Sequence, residues 1–262
     1  MAFRSNHRFP VSLLAYHHVA EKRGFPATRV SCSQFESQMT ALKERGFRTV
    51  GPEALLNPAL LPGPLLCITF DDSYDSVHRF ALPLLKSLEY TATLFIISDF
   101  MGKPNTWDVQ VGRVATHMSA DQIRSALNNG FSIGSHSRTH PDLNSLSDPP
   151  LKEELSGSKK ALEDAFGVPV DFFAYPFGRF NGRVKAAVRE SGYKAAFTIS
   201  RPLFSSAFDP FAMPVTGIYS VDSRASFLIK IQRNGFIWVQ DMKDKIINRF
   251  ASGAALVKGN RA

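Results

Sequence analysis

Short apolar, β-branched runs alternate with amphipathic stretches along most of this chain. The strand-like runs are Val11–Tyr16, Leu65–Phe70, Thr91–Ile97, Phe131–Gly134, Phe172–Tyr175, Ala195–Ile199 and Ala212–Tyr219. Between them the helical stretches carry their own punctuation. Ser33–Arg45 is closed by Gly46; Ser119–Asn129, opened by a Ser119/Gln122 capping box, is closed by Gly130; Pro149 and Pro150 open a helix that Gly167 ends. Regular alternation of this kind predicts an α/β fold with parallel strands joined by crossover helices. A barrel and an open doubly wound sheet both satisfy the pattern, and in both the chemistry gathers where strands end and loops begin.

The chain's 262 residues suit a single domain with a large core. A hydrophobic fraction of 44% against 21% charged is that of an ordinary folded protein and excludes extensive disorder. No run approaches the ~18 apolar residues of a membrane span. The stretch Val11–Tyr16 is too short for a secretory core, and no small-residue cleavage site follows it, so the expected location is cytoplasmic. Cys32 and Cys67 are read as reduced core thiols.

Charge changes the picture only at the ends. The net charge is +8, but residues 224–262 hold eight Lys/Arg against Asp241 and Asp244, and residues 1–30 hold five against Glu21, which leaves the middle slightly acidic. That distribution argues against nucleic acid as a partner. Lys230, Arg233, Trp238, Met242, Ile246 and Phe250 recur near helical spacing, which predicts a C-terminal amphipathic helix pair; its basic character suits peripheral contact with an anionic membrane surface. Nothing in the chain speaks to oligomeric state.

Two adjacent aspartates, Asp71 and Asp72, follow the run 65–70, and the stretch 134-GSHSRTHPDL-143 follows the run 131–134. Pro141 biases His140 away from helix, so His136 and His140 belong to the loop after the strand. Imidazole and carboxylate are the ligand types of zinc and similar ions, and three protein ligands plus water is the usual catalytic arrangement. One aspartate of the doublet can supply the third ligand while the other stays ionised as a general base. Each signal has a plainer reading: Asp72 or Ser73 as a helix cap, the two histidines as structural. A third stretch, 172-FFAYPFGRFNG-182, has the composition of a tight turn, whose backbone N–H groups can face an oxyanion.

TFDD (69–72), HSRTH (136–140) and YPFG (175–178), in this order after YHHV (16–19), resemble the polysaccharide deacetylase family over about residues 10–200. The resemblance implies a distorted (β/α) barrel of about seven parallel strands in one catalytic domain, with a core of about 10–220 and a basic helical extension of about 223–262. It implies a divalent metal, zinc first, with cobalt, nickel or manganese as alternatives. It also implies an acetylated carbohydrate substrate, with removal of acetyl groups from N-acetylhexosamine units of a polysaccharide, oligosaccharide or lipid-linked glycan. Matched by position, Asp71 is the base, Asp72, His136 and His140 are the metal ligands, and Phe177 offers its backbone N–H to the oxyanion between Pro176 and Gly178. Ser73 stands where relatives carry Gly, and Ala174 where many carry Arg. The late histidine that serves relatives as general acid is absent, since no histidine follows His140. His17 and His18 are the replacements within reach, and His18 is the expected one; the alternatives are a packed, non-catalytic role for both or return by Asp71 of the proton it took. The missing histidine keeps O-acetyl ester and cyclic-amide hydrolysis open, and a non-catalytic glycan binder is the third alternative. Trp107 fits either a sugar platform or an interior position.

Overall fold

The structure is a computed structural model that describes residues 11–22, 24, 26–56, 63–107, 114–199 and 209–232. The first half of the chain forms β1 (Val11–Tyr16), β2 (His18–Ala20), β3 (Arg29–Ser31), α1 (Cys32–Lys43), β4 (Arg48–Thr49), β5 (Leu65–Phe70), α2 (Leu82–Ser87), β6 (Thr93–Ile96) and α3 (Ala120–Asn128). The second half forms β7 (Ser132–Ser135), α4 (Asp148–Lys152), α5 (Ser158–Phe166), β8 (Phe172–Ala174), α6 (Gly182–Glu190), β9 (Ala195–Thr198), β10 (Met213–Pro214), β11 (Thr216–Gly217) and α7 (Arg224–Gln232).

Every pairing in the main sheet is parallel, in the order β10-β9-β8-β7-β6-β5-β1-β11. The run expected at 212–219 is divided at Val215: Met213 and Pro214 pair with β9, and Thr216 and Gly217 pair with β1. One short segment thereby touches both edges, so the sheet curls into a barrel. The sequence left barrel and open sheet undecided by periodicity alone; this segment decides for the barrel. β4 adds to the start of β5, and β2 and β3 form a separate parallel pair.

The strands are apolar on both faces because both faces are covered. Val11, Leu13 and Ala15 of β1, Leu65 and Cys67 of β5, Phe95 of β6 and Phe197 of β9 form one cluster inside the barrel. The alternate residues Leu14, Tyr16, Leu66, Ile68 and Phe70 pack outward against Phe35, Met39 and Leu42 of α1 and the other helices. Gly134 of β7 reflects the crowding: a Cβ there would lie 2.4 Å from Cε1 of Phe95 and 2.9 Å from the Phe172 carbonyl oxygen. Cys67 is buried and Cys32 half-buried, both as free thiols. The capping box at Ser119 and Gln122 forms, and Gly167 ends α5 at φ 66°. Among the described residues no helix is long and apolar enough to cross a membrane. The expected helix pair and basic tail beyond residue 232 lie outside the described residues.

A π turn, Glu153–Gly157, joins α4 to α5 and presents Glu154 to the loop after β7. The Glu154 carboxylate accepts the backbone N–H groups of Arg138 (2.8 Å) and Thr139 (2.9 Å) and the Thr139 hydroxyl (2.5 Å). Arg138 is anchored in turn on Asp99 at 2.9 Å and on Glu153. The loop is thus tied to the helix layer and to the end of β6 at once. Glu154→Ala is expected to cost about 1–3 kcal/mol in denaturant unfolding and to speed amide exchange at residues 138 and 139, with Glu154→Gln milder because its amide oxygen still accepts. Unchanged exchange in the alanine variant would show that the loop holds itself.

Candidate active site

Inward alternation along the strands aims the chemistry. On β5 the inward series Leu65, Cys67 continues to Asp71; on β7 the inward Gly134 continues to His136; on β1 the inward series Val11, Leu13, Ala15 continues to His17. These strand ends meet at one mouth. There the Nε2 atoms of His136 and His140 lie 3.2 Å apart, and Asp72 Oδ1 lies 3.5 Å from the first and 3.6 Å from the second. Ligand atoms of a tetrahedral ion at about 2.0–2.1 Å sit roughly 3.3–3.4 Å from one another. Asp72, His136 and His140 are all buried and form a group able to hold a metal ion.

Proton positions agree with that capacity. The His136 Nδ1–H donates to the Ala174 carbonyl at 2.8 Å, which leaves the Nε2 lone pair facing the other two atoms. Burial lowers the His136 pKa to about 3 against the opposing effect of that hydrogen bond, with further lowering by His17 and His117. Burial, then the charges of His136, His117 and His17, holds His140 well below the usual histidine range. Both imidazoles are therefore neutral, as ligands must be. Burial pushes the Asp71 carboxyl up to about 7. Ala174 contributes only its carbonyl to the mouth, as the acceptor for His136.

Backbone strain concentrates here. Of the six non-glycine residues at positive φ among the described residues, five belong to this mouth: Asp72 (63°), Ser73 (47°), Ser137 (66°), His140 (63°) and Phe177 (58°). Each costs about 1–2 kcal/mol relative to a right-handed conformation. Local bonds hold them: Ser73 Oγ donates to the Phe95 carbonyl at 2.9 Å, and the His140 N–H donates to Ser137 Oγ at 3.0 Å. At 175–178 the Thr198 hydroxyl donates to the Gly178 carbonyl at 2.8 Å, and a Cβ on Gly178 would come within 3.0 Å of the Ile199 nitrogen.

The remaining candidates divide. Phe177 meets the His140 ring edge-on at 4.6 Å, and Trp107 lies over the same ring at 3.9 Å and 31°, so Trp107 is a wall of the mouth. His18 sits in β2, its ring 5.1 Å from Tyr74, and lines a separate cavity of about 290 Å³ with Glu21, Arg29, Asp75 and Arg79. His17 is the one of the pair that the alternation along β1 turns toward the mouth; burial lowers its pKa to about 4. Sequence reasoning missed His117, whose Nδ1–H donates to the Asp72 carbonyl at 2.7 Å, and Glu154. The alternation of Val11, Leu13 and Ala15 was the signal that distinguishes His17 from His18; His117 and Glu154 had none.

The sequence model of the family described as polysaccharide deacetylase matches residues 61–196. The Bacillus subtilis (strain 168) protein YxkH, named as a polysaccharide deacetylase, is 28% identical over 190 residues, 71% of this chain and 63% of that protein. A poly-beta-1,6-N-acetyl-D-glucosamine N-deacetylase of Staphylococcus aureus (strain MRSA252) is 24% identical over 197 residues, 71% of this chain and 66% of its own. This chain thus spans slightly under two thirds of these relatives' length. The crystal structure of a polysaccharide deacetylase from Bacillus cereus superposes with a TM-score of 0.72 at 27% identity, over 84% of this chain and 68% of that one. The family match takes in more than half of the chain, including TFDD, HSRTH and YPFG, and the barrel agrees with it: the chain belongs to the polysaccharide deacetylase family.

Proposed function

We propose that this protein is a metal-dependent hydrolase that removes acetyl groups from N-acetylhexosamine units of a polysaccharide, oligosaccharide or lipid-linked glycan. The observation that carries this reading is the buried triangle of His136 Nε2, His140 Nε2 and Asp72 Oδ1, with the Asp71 carboxyl one residue away. The substrate class draws support from the Staphylococcus aureus relative, whose name specifies an N-acetylglucosamine polymer.

Asp72, His136 and His140 would hold a divalent ion; two imidazoles and a carboxylate suit zinc, and the same set accepts cobalt, nickel or manganese. Such an ion supplies Lewis-acid polarisation of the acetyl carbonyl, acidifies water beside it, and by its charge returns Asp71 to the ionised form. The chain's own residues account for the rest. Asp71 takes a proton from water as the new carbon–oxygen bond forms on the acetyl carbon. The left-handed turn at Phe177 presents main-chain N–H to the oxygen anion that develops. Trp107 and Phe177, edge-on at 6.2 Å, form an apolar wall that limits water.

When the carbon–nitrogen bond breaks, the departing nitrogen needs a proton. We assign its delivery to His17 in place of His18, because alternation along β1 turns His17 toward the mouth and His18 lines the neighbouring cavity. Burial keeps His17 neutral at rest, so it passes on the proton that Asp71 has taken and adds none of its own. A histidine in this position gives an amine leaving group its proton route, which favours amide over ester substrates.

Asp71→Asn should lower acetate release from N-acetylglucosamine oligomers by about 10²–10⁴-fold while the zinc content of the purified protein stays the same. His136→Ala should lose zinc and activity together, and a variant that keeps stoichiometric zinc would remove it from the ligand set. Dialysis against a strong chelator should abolish acetate release, and added zinc should restore it. His17→Ala should slow acetate release from a chitin oligosaccharide by about 10²-fold or more and from acetylated xylan by less, because an alkoxide leaves more easily than an amine. His18→Ala should change neither rate by more than a few-fold, and the opposite ranking would return the role to His18.

A further inference from the structure

We infer that His117 is a positioning residue that holds Asp72 in the conformation its ligand role requires, an inference that rests on the metal-binding reading above. Asp72 and Ser73 adopt left-handed backbone conformations in succession, φ 63° and 47°, and such a pair does not persist without outside restraint. The restraint comes from a strand-like strap 45 residues further along the chain. There the N–H of Met118 donates to the Ser73 carbonyl at 2.8 Å, and the N–H of Asp75 donates to the Thr116 carbonyl at 2.8 Å. Tyr74 and His117 form an isolated antiparallel bridge between these bonds. From this strap the His117 Nδ1–H reaches the Asp72 carbonyl at 2.7 Å.

The imidazole is itself immobilised. It stacks on Tyr74 with centroids 4.9 Å apart at 20°, and Phe100 meets it edge-on at 5.5 Å. The Tyr74 hydroxyl accepts from Asn105 Nδ2 at 2.7 Å, which fixes the ring beneath. His117 Nε2 is buried with no hydrogen-bond partner among the described residues. Burying an unmet ring nitrogen is unfavourable, and an apolar ring would fill the same space without it. The bond from Nδ1 to Asp72 is therefore what the histidine contributes that a phenylalanine cannot.

The consequence for the carboxylate follows from the backbone. Capturing the Asp72 carbonyl fixes the peptide plane between Asp72 and Ser73, and with it the backbone conformation of Asp72. A relaxation toward the right-handed region would turn that carbonyl away from His117. It would also swing Oδ1 out of its positions 3.5 Å and 3.6 Å from the two imidazole nitrogens. Partners that orient a ligand from behind typically govern metal affinity by about 10–100-fold.

The test uses the full-length protein stripped of metal and titrated with Co²⁺, followed by the visible absorption of the bound ion and by competition with a chelator. His117→Phe should bind Co²⁺ about 10–100-fold more weakly, with an altered absorption band, while the thermal unfolding of the metal-free protein is unchanged or raised. His117→Asn, whose side-chain N–H can reach the same carbonyl, should recover affinity to within a few-fold of the parent. If His117→Phe does not fold, His117→Met replaces it in the same comparison. Equal Co²⁺ affinity in parent and phenylalanine variant overturns the inference, and so does equal weakening in the asparagine and phenylalanine variants. A parent protein that binds no Co²⁺ or Zn²⁺ at all would instead overturn the metal-binding reading.

Discussion

Three ligand atoms held within 3.6 Å of one another in a buried pocket, with lone pairs on His136 Nε2 and the Asp72 carboxylate, need a shared proton or a cation among them. Burial sharpens the demand, because it keeps both imidazoles uncharged and leaves each with a single ring proton. One rotamer change in either histidine would relieve it. The structure withholds that change: the Ala174 carbonyl holds the His136 ring, Trp107 and Phe177 pack against the His140 ring, and the His117 strap holds the Asp72 backbone. Much of the mouth of this barrel reads as scaffolding for an arrangement that would not form unaided.

The scaffolding has an energetic side. Five left-handed side-chain-bearing residues at about 1–2 kcal/mol each sum to roughly 5–10 kcal/mol, which is as large as the net stability of many domains. Aspartate and histidine tolerate the region better than most residues, so the true figure lies toward the lower end. The offset is the two-sided core. Strands buried inside against Phe95 and Phe197 and outside against α1 and its neighbours leave no solvated face through which the sheet could distort to relieve the mouth.

Much of this was legible in the sequence, for identifiable reasons. Runs that are apolar on both faces stand out whatever their partners, so Val11–Tyr16 and Leu65–Phe70 were readable to the residue. Caps at Ser119 and Gly167 are local chemistry and were equally plain. β2, β3 and β4 were not, because two or three residues carry no period. The division at Val215 was hidden because it is set by which edges the segment meets. The doublet and the two histidines declared themselves by residue type at strand ends, whereas Glu154 reaches the loop only because a π turn shifts its register. His117 lies in a strap with no hydrophobic pattern of its own. His17 was legible in principle, since parity along β1 points it inward.

The closure of the barrel ties that last residue to the far end of the chain. The seam has two residue pairs on each side, Met213 with Phe197 and Pro214 with Thr198, then Leu14 with Thr216 and Ala15 with Gly217. This short seam borders β1, whose next inward residue is His17. A buried clasp reinforces it. Lys230 of α7 donates to the Gly217 carbonyl at 3.0 Å and pairs with Asp222 at 2.8 Å, while Gln34 of α1 donates to the carbonyls of Tyr219 and Asp222 at 2.9 Å each. A buried ion pair adds little net stability, because desolvation offsets its attraction, but losing one partner strands the other at a cost of about 3–5 kcal/mol. Its value here is positional: it admits one placement of α7 against the seam. The registry of β1 against β11 is thereby held from outside the barrel by a lysine of α7 that the helical spacing of the tail picked out but whose burial only the fold reveals.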